Sequence, residues 1–429
     1  MTSSLDSRRS RRLIAAAAGI LMVLLPTVAS AKILVPMDLK QTDHLKAYGL
    51  AYWELARGHN VEWLLNYRGG SFFFEDDPKV LREAKIRGIL TEQISDADAT
   101  SIYAEIEQNN MDVVLLEKAP RVAIYIPPGF VPWDDAVTLA FTYADIPFTP
   151  IWDDEVLGGD LSKYDWLHLH HEDFTGQYGK FYATFRGADW YRNQVARQEA
   201  EAHKLGYKKV SEEKKAVVET IKDWVARGGF LFAMCSATDT FDIALAAHDV
   251  DICAPEFDGD PADPDADKKL DFSRTLAFKN FHLVMNPYVY EFSDIDMTNQ
   301  VALKRGEAND YFTLFEFSAK QDPVPTMLTQ DHTNVVKGFL GQTTCFNKKL
   351  LKDGVLVLGE PEGWPDVRYI HGDFGKGTWT FLGGHDPEDW QHQVGDPPTD
   401  LSLHKNSPGY RLILNNVLFP AAERKKQKT

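Results

Sequence analysis

The sequence predicts an α/β fold on a doubly wound, mainly parallel sheet, and two observations predict it. Strand-length apolar runs alternate with helix-length segments along much of the 429 residues, the order that produces βαβ units. The run Gly228-Gly229-Phe230-Leu231-Phe232-Ala233-Met234 also leads straight into Cys235 and the small, helix-compatible Ser236-Ala237-Thr238-Asp239. That is a strand turning sharply into a helix, the layout that lifts a side chain above a sheet edge.

Taken in order, 32–36 is the first strand, and a helix over about 43–57 is closed by Gly58-His59-Asn60. Residues 61–66 form the next strand, and the glycines of Tyr67-Arg68-Gly69-Gly70 form a turn before the aromatics Phe72, Phe73 and Phe74. Helices near 78–87 and 98–108 lead to a strand at 112–116. A second alternation follows: strand 121–126, helix 133–144, strand 148–151 and strand 164–170. Residues 174–210 carry aromatics (Tyr178, Tyr182, Trp190, Tyr191) with no clean period. They read as an insertion over the C-terminal strand ends, where such folds place ligands. The helix 211–226 presents Val217, Val218, Ile221, Trp224 and Val225 as one stripe, and Gly228-Gly229 releases the chain into the Cys235 strand. An acidic excursion over 249–271 precedes an accessory β-rich region with runs at 355–358, 367–371 and 378–382, and a helix at about 408–418 closes the chain.

Residues 1–31 read as a leader. Arg8, Arg9, Arg11 and Arg12 precede an apolar segment over 13–28, and Ala29-Ser30-Ala31 supplies small residues for cleavage. A periplasmic or secreted protein beginning at Lys32 is expected. The apolar segment is shorter than the roughly 20 residues a spanning helix needs, so no membrane span is expected. The expected organisation is the leader 1–31, an N-terminal α/β segment 32–117, and an α/β domain over 118–420 with insertions at 174–210 and 249–330. The net charge is −17, and loss of the leader's four arginines and one aspartate makes it −20. So acidic a surface repels nucleic acid. Of the three cysteines, Cys253 and Cys345 are a candidate disulfide, which leaves Cys235 as a free thiol.

A thiol nucleophile needs a base, and the base needs an orienting group. The candidate base is His385, which follows a strand ending in Gly383-Gly384 and precedes Asp386-Pro387-Glu388. Asp386 or Glu388 would hold its imidazole. Against this stand a buried structural cysteine and a loop histidine. A second constellation is His168-Leu169-His170-His171-Glu172-Asp173. Along a strand His168 and His170 share a face and His171 opposes them. These residues read as pocket lining, as a base at His171 in a caspase-like arrangement, as zinc ligands drawn from His168, His170, Glu172 and His385, or as a polar strand end.

The elbow Gly-Gly-Phe-Leu-Phe-Ala-Met-Cys, the late Gly-Gly-His-Asp-Pro-Glu and the final Gly-Tyr-Arg-Leu-Ile-Leu-Asn-Asn-Val-Leu helix resemble the class I glutamine amidotransferase-like superfamily, especially its trehalose-utilisation-like branches. The whole chain also resembles secreted bacterial proteins commonly labelled asparagine synthetase B. The superfamily resemblance implies a Cys235 nucleophile, a His385 base and an acid at Asp386 or Glu388. This sequence departs from the family at Ala233 and Ala237, where glycines are usual, and Glu388 lies one residue beyond the usual acid. A true ATP-dependent asparagine synthetase is not expected, because Lys32 rather than a cysteine would open the chain and no pyrophosphate loop is present. The expectation is a cysteine hydrolase or amidase acting without a cofactor on a small molecule, sugar or peptide. The alternative is a ligand-binding protein that keeps the fold without the chemistry.

Overall fold

The computed structural model describes residues 32–129, 135–316, 318–322, 332–393 and 395–422; the expected leader lies outside them. The N-terminal segment forms β1 (Lys32–Val35), α1 (His44–Ala56), β2 (Val61–Leu65), β3 (Ser71–Glu75), α2 (Pro78–Arg87), β4 (Glu92–Ile94), α3 (Asp96–Gln108) and β5 (Asp112–Leu116). These strands make one five-stranded sheet in the order β4-β1-β3-β2-β5. Every pairing in it is antiparallel, which corrects the parallel reading of this segment. Alternation along the strands sorts the faces. Ile33, Val35, Phe72 and Phe74 pack toward α1 and α2, while Leu34, Leu64 and Phe73 meet Ala99, Ile102 and Ile106 of α3.

The rest of the chain supplies β6 (Val122–Tyr125), α4 (Ala136–Ala144), β7 (Thr149–Ile151), α5 (Asp153–Leu157), β8 (Trp166–Leu169), α6 (Tyr182–Phe185), α7 (Asp189–Lys204), α8 (Val210–Ala226), β9 (Phe230–Met234) and α9 (Ala237–Ala246). It continues with β10 (Tyr311–Leu314), β11 (Val335–Lys337), β12 (Phe346–Asn347), β13 (Leu356–Glu360), β14 (Asp366–Val367), β15 (Tyr369–Phe374), β16 (Gly377–Leu382) and the closing helix Pro408–Leu418. Nine strands form one sheet in the order β11-β10-β13-β15-β16-β9-β8-β6-β7. The run β16-β9-β8-β6-β7 is parallel, and β11, β10, β13 and β15 extend it antiparallel. The molecule is therefore α/β with a mixed sheet, rather than a mainly parallel one.

Helices cover both faces of the parallel part. Val122, Ile124, Trp166, Phe232, Met234 and Leu382 point to the side of α4, α1 and the closing helix. Ala123, Tyr125, Leu167, Leu231, Ala233 and Phe381 point to α8 and α9, where the predicted stripe Val217, Val218, Ile221, Trp224 and Val225 is buried. The turn into β9 requires glycine: Gly228 has φ +121°, and a Cβ on Gly229 would lie 2.3 Å from the Trp224 ring. The N-terminal sheet is tied to the larger one through the closing helix. Arg411, fully buried, donates to Gly69 O at 2.7 Å, and Tyr48 of α1 donates to Asn415 Oδ1 at 2.5 Å.

Candidate functional site

The adjacent parallel strands β8, β9 and β16 end at one edge, with Leu169 opposite Ala233 and Met234 opposite Leu382. The residues just past those ends are His170 to Asp173, Cys235, and Gly383-Gly384-His385. Three separated parts of the sequence thus converge on one spot, the edge where open α/β sheets bind ligands.

Cys235 sits at the junction of β9 and α9 with φ +51°, a left-handed conformation uncommon for a residue with a Cβ. Its neighbours fix this turn. Ala237 N donates to His170 O at 3.0 Å, and Thr238 Oγ1 donates back to Cys235 O at 2.6 Å. The sulfur accepts the backbone N–H of Gln342 at 3.2 Å. Burial pushes the thiol up to about 11, against the pull of the Gln342, Ser236 and Thr343 N–H groups toward the thiolate. The Gln342 loop closes tightly on the β16 exit: a Cβ on Gly383 would lie 2.0 Å from Thr344 O, and Gly384 has φ +105°. Those two glycines let the Cys235 sulfur and the His385 segment share one cavity.

That cavity, about 860 Å³, is lined by Cys235, His171, Glu172, Asp173, His385, His392 and Gln342 among others. The insertion over 174–210 does form part of its wall, through Phe181, Trp190 and residues of α7 such as Gln194 and Arg197. Tyr178 and Tyr191 instead pack into the insertion's own small core beside Cys253.

The imidazoles form a cluster. The rings of His170 and His385 are 4.6 Å apart and edge-on; those of His171 and His385 are 5.7 Å apart and stacked. His392 stacks on His385 at 4.8 Å. His168 and His170 do share a face, at 5.5 Å, but neither lines the cavity. His168 is fully buried, with Nδ1 3.0 Å from Phe232 O, and burial lowers it to about 3. His170 is fully buried behind His171, and burial followed by the neighbouring imidazoles holds it well below the usual histidine range. Glu172 accepts the His170 N–H at 3.0 Å, and burial raises its carboxyl to about 8. Asp173 ties down the following turn through Thr175 N and Gly179 N.

Two expectations need correction. Both acids expected behind His385 are engaged by other groups: Asp386 accepts the Tyr410 hydroxyl at 2.8 Å, and Glu388 pairs with His404 at 3.0 Å. Another cavity imidazole, His392, has its Nδ1 3.0 Å from Asp389. The second correction concerns Cys253 and Cys345, which are free and buried in separate clusters, Cys253 donating to Thr175 O at 3.3 Å. Sequence reasoning also missed Asp296, a cavity residue raised to about 7 by burial. A lone aspartate between loops gives no signal in the chain.

No protein-family model matches the sequence, and no curated protein matches it. Among solved structures, two named as cytoplasmic proteins of Salmonella typhimurium align with it. One has TM-score 0.32 and 10% identity over 73% of this chain and 91% of its own. The other has TM-score 0.33 and 10% identity over 67% and 86%. Gan42B, a GH42 beta-galactosidase, aligns with TM-score 0.27 and 12% identity over 63% of this chain and 28% of its own. The periplasmic or secreted placement is withdrawn: the segment it was read from lies outside the described residues, and the two structures named as cytoplasmic lend it no support. Likenesses this weak carry nothing about fold or chemistry. Among the described residues no helix is long and apolar enough to cross a membrane.

Proposed function

We propose that the chain is a cysteine-dependent hydrolase or amidase, amidotransferase-like in the placing of its nucleophile, acting on a small molecule, sugar or peptide that enters the cavity. The observation that carries the reading is φ +51° at Cys235, at a strand-to-helix junction with its sulfur facing the Gln342 N–H. Backbone strain of this kind is kept where surrounding structure holds it, and it concentrates at functional sites. A thiol near 11 is protonated at neutral pH, so its proton must leave as the substrate is attacked. The imidazoles of His385 and His171, in the same cavity, are the acceptors. Sulfur bonds to the carbonyl carbon, the C–N bond breaks, and the imidazole returns the proton to the departing amine. Water then cleaves the thioester, one hydrogen returning to sulfur through the imidazole.

A second reading, a binding protein without chemistry, is favoured by the 2% exposure of Cys235 and by the engagement of Asp386 and Glu388 elsewhere. Alkylation of the native protein by iodoacetamide, read by peptide mapping, separates the two. The hydrolase reading expects Cys235 to be modified well ahead of Cys253 and Cys345; three equally inert thiols would favour the binding protein.

A further inference from the structure

We propose that His170, His171 and His385 form a binding site for a divalent first-row metal ion of the zinc class, with an open coordination position facing the cavity. One ring nitrogen from each of the three lies within 4.8 Å of the other two. Tetrahedral zinc with bonds of 2.0–2.1 Å needs nitrogens roughly 3.4 Å apart, so side-chain adjustments of about an ångström close the set. A second, independent observation is His170 itself. It is fully buried, and neither of its ring nitrogens has a hydrogen-bond partner among the described residues. A buried polar group left in that state is costly, and a metal ion is the partner an imidazole surrounded by imidazoles accepts.

The fold delivers these ligands from rigid places. His170 and His171 follow β8 directly and His385 follows β16, so two strand ends flanking β9 carry all three. The His170 backbone is pinned by Glu172, whose Oε2 accepts its N–H at 3.0 Å. His171 and His385 line the cavity, so a bound ion would present its remaining position to whatever occupies that space. Three protein ligands and an open position are the pattern of a catalytic rather than a structural zinc. Imidazole donors suit zinc, copper, iron and nickel better than the oxygen-seeking calcium or magnesium. A rival trio, Asp135, His168 and His170, is less suited. His168 has committed Nδ1 to Phe232 O, Asp135 caps α4, and neither reaches the cavity.

This inference does not rest on Cys235 being a nucleophile, and with metal bound it replaces the proton-accepting role of His171 and His385, because a coordinated imidazole has no basic nitrogen left. The experiment is titration of cobalt(II), and of zinc in competition, into full-length protein stripped with chelator. It is read by visible absorption and by metal content after gel filtration. The expected result is one equivalent per chain with the intense absorption of four-coordinate cobalt. His385→Ala and His171→Ala, each checked for native circular dichroism, should weaken binding by more than about 100-fold, beyond the roughly 10–100-fold of outer-shell changes. His392→Ala, which removes the ring stacked on His385 and its pairing with Asp389 but none of the three proposed ligands, should stay within that smaller range. Cys235→Ser should keep the metal. Binding below a tenth of an equivalent, undiminished binding in His385→Ala, or loss of binding in Cys235→Ser would each overturn the three-imidazole site. Iodoacetamide reactivity of the stripped protein tests the cysteine reading separately.

Discussion

Cys235 holds a backbone conformation in which its Cβ crowds the following carbonyl, a strain of about 1–2 kcal/mol that glycine escapes. Two substitutions isolate that strain. Cys235→Gly should be more stable than Cys235→Ala by about 1 kcal/mol in urea unfolding, after allowance for the lost methyl. The reverse order would mean that the turn is not held left-handed in solution. The elbow was legible in the sequence because an apolar run stops at a polar side chain and small residues follow. Ala233 and Ala237 stand where the resemblance expects glycine, yet both fit fully buried, and the left-handed residue is Cys235 itself. The partners of Asp386 and Glu388 were not legible. Asp386 and Glu388 look alike in the chain, and Tyr410 and His404 of the C-terminal segment engage them. His392, stacked on His385 and held by Asp389, gives no comparable signal in the chain.

Elements with clear local boundaries were read well, as for α2, which lies between the Asp77 cap with Pro78 behind it and a left-handed Gly88. Strand 112–116 and helix 78–87 fall where expected, and α8 is offset by a single residue. The misses have physical causes. In β3, Phe72 and Phe74 face one core and Phe73 the other. A strand buried on both faces shows no alternation, so the aromatics after the Gly69-Gly70 turn gave no strand signal. Helix α7 buries only Tyr191 and Ala202, too few for a stripe. The antiparallel pairing of the N-terminal sheet depends on which strands meet, which apolar runs do not encode. At this scale the sharpest prediction concerns the α8–β9 turn. Gly229→Ala places a methyl into the Trp224 ring and should cost about 1–3 kcal/mol by overpacking. An unchanged unfolding midpoint would contradict the tight turn that aims β9 at the site edge.

The whole molecule buries an unusual set of ionisable groups, and its stability should follow pH accordingly. Glu213 on α8 is fully buried. Burial first, and the nearby Asp153 next, raise its carboxyl to about 8, with Lys214 opposing. The folded state therefore holds a proton that the unfolded chain releases near 4.5. This group's stabilisation is complete below that value and is lost as pH rises toward 8. Histidines work in the other direction: His168 and His371, lowered to about 3 by burial, destabilise the fold as pH falls below about 6.5. Stability should peak between these limbs. Glu213→Gln should shrink the loss between pH 5 and pH 8 by at least about 1 kcal/mol, measured from urea midpoints at both pH values. An identical decline in the variant would place the alkaline limb elsewhere. The N-terminal sheet belongs to this unit rather than to a loosely tethered one, since Arg411 and Asn415 of the closing helix are buried against it and against α1.

The most direct test of the cysteine account is the rate at which iodoacetamide modifies Cys235 in metal-stripped protein, compared between the native chain and His385→Ala and His171→Ala variants. Imidazole assistance predicts that Cys235 reacts first among the three thiols, and that at least one variant slows it by about tenfold or more, the scale of positioned acid–base help. Equal rates in all three proteins, with Cys235 no faster than Cys253 or Cys345, would contradict it.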